Sequence, residues 1–190
     1  KLNRYTSVHR PVNMSTYYNS SGVCVHGDCT VILRDNTNKK IKDLQKGDRI
    51  KLSTKSECYS VVLCLIKNKC LNKRRKLVSI NELKITEYHP INYNGVWQFP
   101  NSIHPADEIE CDYVYNLVLN EHHNIEISGI NCITLGHNYN HNDIVKHDYF
   151  GSKKVIDDLM KLPGFDTGLV EILPEYIKRG TDNRICGILI

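Results

Sequence analysis

What this 190-residue chain lacks narrows it first. No apolar run approaches the length of a membrane span, so no transmembrane helix is expected. No leader segment opens the sequence, and since residue 1 is a lysine, nothing about export follows from that. Phenylalanine is scarce, 3 residues against 11 tyrosines. The cysteines at 24, 29, 58, 64, 70, 111, 132 and 186 form no C-x-x-C pair and keep no rhythm. At this chain length that favours reduced, mostly buried thiols and a cytosolic over a secreted setting. Helical periodicity is missing until after residue 150.

Strong charge of one sign is lacking too: the net charge is +4, much of it concentrated in residues 67–76. Such a run could be a nucleic-acid surface. No aromatic side chain interleaves it, as a single-strand binder would want. It reads better as a solvated hairpin loop between two apolar strands, and no nucleic-acid partner is expected. With 41% hydrophobic and 24% charged residues, the chain is globular rather than disordered.

What is present is a series of short strands. Residues 1–23 read as an arm, with 5–8 able to pair as a strand and Tyr17 and Tyr18 as docking points. From Cys24 onward, 29–33, 49–53, 59–66, 76–80 and 83–86 read as strands. Turns at 35–38 and 46–48 separate the first of them. Residues 40–44 suit a short turn or bridging strand. Residues 112–119 alternate Tyr113, Tyr115, Leu117 and Leu119 on one face, a period of two. Residues 124–127 and 130–135 form a hairpin around Ser128-Gly129. The expectation is an all-β domain over 24–135 and an appendage over 136–190. That appendage holds one short helix, 153–161, with Val155, Ile156, Leu159 and Met160 on one face and Pro163-Gly164 as its stop.

The chemistry centres on Gly22-Val23-Cys24, where a thiol stands at the boundary between arm and domain. For Cys24 to attack the peptide bond before it, its sulfur must reach the Val23 carbonyl carbon, and intramolecularity supplies much of the advantage. The thioester is less stable than the amide. The fold must therefore polarise the bond and protonate the departing amine, a task for a histidine and for a hydroxyl or N–H near the carbonyl. Thr86-Glu87-Tyr88-His89-Pro90 offers both groups, with Pro90 keeping His89 out of a helix.

Three ordered motifs carry a resemblance. Gly22 to Val31, followed by Ile41 to Ile50, resembles the opening of a Hint domain, the fold shared by Hedgehog autoprocessing domains and inteins. Thr86 to Pro90 resembles the second Hint motif, and Val114 to Leu119 through Ser128-Gly129-Ile130 the last. Tyr88-His89-Pro90-Ile91, Gly95 to Pro100, Ile133 to His137 and His147 to Ser152 are similar to the Vint subtype. That subtype is often joined to von Willebrand A domains, and the resemblance extends through about residue 165. It implies a horseshoe-like Hint fold of twisted antiparallel strands. It also implies autocatalytic cleavage at Val23-Cys24, by an N-to-S acyl shift of Cys24 through a thioester. Thr86 would polarise the amide and His89 would assist amine departure. The implied partner is an upstream domain of the same polypeptide, such as a von Willebrand A domain, together with a nucleophile or gating ligand. No cofactor is implied.

Departures from the pattern matter. Inteins end in His-Asn, where this chain aligns Ile133 and Thr134; His137-Asn138 falls four residues late, so release without splicing is implied. Asn116 stands where inteins often carry an aspartate, leaving a carboxylate relay without its group. No acidic residue lies in 59–68, so sterol transfer is not supported. The competing reading is a cleavage-inactive Hint-like module that binds a ligand or protein.

His122, His123, His137, His141 and His147 cluster along the sequence near Cys132. Polar loops explain them better than a required metal, so no metal is expected. Were zinc to bind, Cys24, His137 and His147 are the candidates, and occupying the thiolate would inhibit cleavage. Phe150-Gly151-Ser152 before the helix could bind an anion, although an N-cap by Ser152 is the simpler reading.

Overall fold

A computed structural model describes residues 22–189. The expected strand at 5–8 and the docking of Tyr17 and Tyr18 lie outside the described residues. The elements are β1 (Val25–His26), β2 (Thr30–Ile32), β3 (Asn38–Lys40), β4 (Arg49–Lys51), β5 (Tyr59–Lys69), β6 (Arg74–Ile80), β7 (Leu83–Ile85) and β8 (Ile91–Tyr93). They continue with β9 (Val96–Gln98), β10 (Asp107–Glu110), β11 (Tyr113–Leu119), β12 (Asn124–Ile127), β13 (Ile130–Ile133), α1 (Lys153–Leu159), β14 (Leu169–Ile172), β15 (Ile177–Arg179) and β16 (Ile185–Ile188). The protein is mostly β, as the strand spacing predicts.

The main sheet runs β10-β6-β7-β1-β11-β5-β14, with β4 also paired to β5. A second sheet runs β12-β13-β8-β9, and β2-β3 and β15-β16 are separate hairpins. Among the described residues only β14 is parallel to its neighbour, β5; the other pairings are antiparallel. The longest strand, β5, is continuous because its apolar residues leave no turn signal until Cys70. Residues 40–44 become a single 3-10 turn at Ile41–Asp43, which buries Ile41.

Two large clusters of buried side chains divide the interior. The first packs β1, β2, β4–β8 and β11–β13 around residues such as Ile41, Ile50, Val78, Ile85 and Ile125. The second lies on the opposite face of β5 and β11, where Cys64, Ile66 and Val118 meet Leu135, Val155, Leu159 and Val170. Burying each aliphatic side chain is worth roughly 1.5–3 kcal/mol. The strand β11 is thus covered on both faces. The alternation of Tyr113 to Leu119 reveals one face, on which Leu117 and Leu119 are buried and the two tyrosines half-buried; Val114, Asn116 and Val118 on the other are buried too.

Several expectations need correction. The basic run 67–76 is not a loop: β5 continues to Lys69 and β6 begins at Arg74, leaving a four-residue turn. Within it Cys70 is buried rather than solvated, because the strands extend to pair with β11 and β10. Met160 is not on the buried face of α1; it is 58% exposed while Val155 and Leu159 are covered, since the chain leaves the helix at Leu159. Gly22 and Val23 are buried, so the last residues of the expected arm belong to the packed body. Ser152 does cap α1, its hydroxyl accepting from Lys154 N–H at 3.3 Å.

Candidate active site

Register places the site. The two-residue strand β1 is held between β7 and β11, with Val25 opposite both Ile85 and Tyr115. In an antiparallel pair, one step back on β1 is one step forward on each neighbour. Cys24 therefore falls between Thr86 and Asn116. Gly27, just beyond β1, lets the chain turn under the Tyr115 ring; a Cβ there would stand 2.7 Å from it.

Hydrogen bonds hold the Cys24 N–H and the carbonyls of Gly22, Val23 and Cys24. The N–H of Cys24 donates to Thr86 Oγ1 at 2.9 Å, and its carbonyl accepts from Thr86 N–H at 2.9 Å. The single Thr86 hydroxyl proton is shared between the carbonyls of Gly22, at 3.2 Å, and Cys24, at 3.1 Å. The Val23 carbonyl accepts from Asn116 Nδ2. The amide's orientation is set by its other end: Asn116 Oδ1 accepts from Leu117 N–H at 2.7 Å, which leaves the NH₂ group facing Val23. Asn68 Nδ2 donates to Cys24 Sγ at 3.4 Å.

His89 closes the turn after Thr86, its N–H donating to the Thr86 carbonyl at 3.2 Å. Its Nε2 lies 2.6 Å from the Ile133 carbonyl. Only a protonated Nε2 can bond there, so in the neutral ring Nδ1 carries the lone pair. Nδ1 is buried without a partner. Burial pushes the His89 pKa down to about 4, opposed by the backbone of Ile133 and Cys24. Burial likewise pushes the Cys24 thiol up to about 11, opposed by the positive charge of Arg75. At neutral pH both groups are therefore uncharged.

Two cavities flank Cys24. One, of about 30 Å³, is lined by Val23, Asn116, Leu135, Phe150 and Leu159, among others. It has room for about one water. The other, of about 260 Å³, is lined by Cys24, Asn68, Lys69, Leu71, Arg75 and Val114, and from the appendage by Ile172, Leu173, Pro174, Ile177 and Arg179.

Thr86 and His89 are brought to Cys24. His137 and His147 line neither of these two cavities. Their rings serve the local chain: His137 Nδ1 accepts from Tyr139 N–H at 2.9 Å, and His147 Nδ1 from the N–H groups of Tyr149 and Phe150 at 3.2 and 3.0 Å. Gly151 passes so close that a Cβ would sit 2.9 Å from the His137 ring. Burial lowers both pKa values to about 4. Among the described residues, no three His, Cys, Asp or Glu side chains gather as a metal would require. Cys24, His137 and His147 are therefore not assembled as a ligand set.

Asn68 and Asn116 are the site residues that sequence reasoning missed. Asn116 registers there only as a missing aspartate, and Asn68 is hidden in the basic run. A usable signal exists for Asn116: a polar residue between Val114 and Val118 on an apolar strand face needs a partner there.

The family model described as Vint, a Hint domain, matches residues 23–187. Among solved structures, the gp41-1 intein is 16% identical, covering 60% of this chain and 99% of its own, with a TM-score of 0.44. A DnaB intein from Synechocystis sp. PCC 6803 is 14% identical, with the same two coverages and a TM-score of 0.41. A bacterial intein-like domain from Clostridium thermocellum is 13% identical, again covering 60% and 99%, with a TM-score of 0.44. No curated protein matches the chain.

Proposed function

This chain belongs to the Vint family of Hint domains, and on that premise we propose that it is a self-processing domain that cuts its own Val23–Cys24 bond through Cys24. The observation that carries this reading is the clamp on that bond. The carbonyl of Val23 rests on Asn116 Nδ2 and the amide N–H of Cys24 on Thr86 Oγ1, beside a thiol on the same residue.

In the first step Cys24 Sγ adds to the Val23 carbonyl carbon. The oxygen that gains charge is the one Asn116 already holds, a preorganised donor of the oxyanion-hole kind. The thiol proton passes to His89 Nδ1, the lone-pair nitrogen. An imidazolium with so low a pKa is a strong acid, so it delivers the same proton to the Cys24 nitrogen as the C–N bond breaks. One proton moves, one C–S bond forms and one C–N bond is lost. Thr86 fixes the amide's direction, and Asn68 aims the sulfur.

A thiol held near 11 and an imidazole held near 4 make the initial proton transfer uphill. That supports slow cleavage at rest and gating by whatever eases the transfer. The thioester then passes to water or another nucleophile and frees the upstream part of the polypeptide, for which a von Willebrand A domain is the partner the family resemblance suggests. With Ile133 and Thr134 at the aligned junction, release without splicing is the expected outcome.

The test is mass spectrometry of the protein incubated with hydroxylamine, beside a Cys24→Ala variant. The wild type should yield a fragment beginning at Cys24 and the variant none. Equal release from both, or none from the wild type, overturns the reading.

A further inference from the structure

Resting on that reading, the next question is what takes the acyl group from the Val23–Cys24 thioester. Of the two cavities beside Cys24, the smaller is apolar and admits about one water. The larger, of about 260 Å³, lies below the usual size of a drug-like site. It suits a compact molecule rather than a sterol or a folded protein surface.

Its lining is one-signed. Lys69, Arg75 and Arg179 contribute cations, and no Asp or Glu is among the described lining residues. The remaining wall is hydrocarbon: Leu71, Val114, Ile172, Leu173 and Ile177. A cleft with low-dielectric walls and one sign of charge concentrates ions of the opposite sign. Asn68 connects it to the chemistry, because Asn68 lines this cavity and donates to Cys24 Sγ at 3.4 Å. Arg75 is close enough to Cys24 to oppose the rise in its pKa.

We propose that this cleft binds the acyl acceptor and that the acceptor is a small thiol bearing an anionic group. An amine of the same size is protonated at neutral pH and would carry positive charge toward three cations; a thiol does not. The acceptor's thiolate adds to the Val23 carbonyl carbon. The bond from that carbon to Cys24 Sγ breaks, and Cys24 leaves with the electron pair as a thiolate, which then takes a proton from solvent. The upstream segment departs as a new thioester, with no oxidant or reductant involved.

The 190-residue chain is incubated at low ionic strength with 2-mercaptoethanesulfonate, 2-mercaptoethanol or cysteamine at equal thiolate concentrations. Appearance of the fragment beginning at Cys24 is timed by mass spectrometry. The expected order is anionic, neutral, cationic, with about a 10-fold span between first and last. That span should shrink in 0.5 M salt, roughly a Debye length of 4 Å, and in Lys69→Gln/Arg179→Gln. Both side chains carry no burial role in either main cluster, and the salt series on the wild type needs no variant to fold. Rates within twofold of one another, or a span that neither salt nor the double variant reduces, overturn the anionic-acceptor proposal while leaving cleavage intact. No release with any thiol overturns the thioester reading itself, and this inference with it.

Discussion

The strands from β1 to β13 meet the Val23–Cys24 bond with hydrogen bonds, whereas the segment after residue 135 meets it with hydrocarbon. Thr86, Asn116 and Asn68 all come from the first region and address the amide, the carbonyl and the sulfur. Tyr149, Val155 and Leu159 come from the second and share a cluster with Val23. Polar atoms near a reacting carbonyl need fixed direction, which a strand ladder supplies. An apolar residue needs only covering, which an added helix and strand can supply. The two regions are nevertheless one body at β5, because β14 adds to its free edge with Leu169 opposite Leu65 and Ile172 opposite Asn68.

Acid is the strongest way to sharpen this contrast. His89 in the first region, and His137 and His147 in the second, have pKa values lowered by burial to about 4 from 6.5. A depressed folded pKa means the unfolded chain binds more protons. The stability these groups contribute is therefore present above about pH 6.5 and lost as pH falls through 4. Each histidine costs about a tenfold drop in the folding constant per pH unit across that window. Thermal melts from pH 7 to 4 should show a steadily falling Tm, and hydrogen exchange should show the segment after 135, with two of the three, opening first. A flat Tm would mean these rings are not buried in neutral form.

Next in size is Asn116→Asp. One carboxylate oxygen would keep the Leu117 N–H, and the other would face the Val23 carbonyl with no proton to donate. Release should slow by about 10²–10³-fold, the usual loss for one oxyanion donor, and partly recover as the pH falls and the carboxyl protonates. A variant that cleaves faster would instead restore the carboxylate relay of inteins and reverse the role given to this position. The melting temperature is the control, since a loss of rate without a matching loss of Tm separates aim from packing.

Leu159→Ala probes the other side of the contrast. This side chain is 1% exposed, and truncating a buried leucine costs roughly 2–5 kcal/mol. The urea midpoint should fall, while hydroxylamine-driven release in dilute urea-free buffer should change by less than for Asn116→Asp. If the release rate collapses while the midpoint holds, the appendage does more than cover Val23.

Legibility in the sequence tracked distance along the chain. The strands at 59–66 and 112–119, the Ser128-Gly129 hairpin and the helix after Ser152 are local patterns, visible as alternation, turn residues and a cap. Cys24, Thr86 and His89 were nameable because short motifs carry them. Asn68 was not, because its importance depends on β5 continuing past residue 66 and on its pairing with Val114. The basic side chains around it also look like loop composition.

The appendage shows the same division. Its helix could be read from Val155, Ile156 and Leu159, but nothing local says that residues 169–172 would join β5 in parallel, more than 100 residues away. Parallel pairing needs a long crossover and leaves no turn signature.

By itself, then, the sequence determined the β character of the chain, the thiol at Cys24 and the Thr86–His89 pair, since each depends on residue type and near neighbours. Tertiary structure alone decided that Asn116 donates to the Val23 carbonyl, that the histidines at 137 and 147 serve their own turns, and that three cations surround the cleft at Cys24. Those outcomes rest on strand register and on which face each strand buries, and register is a relation between distant segments that no local pattern encodes.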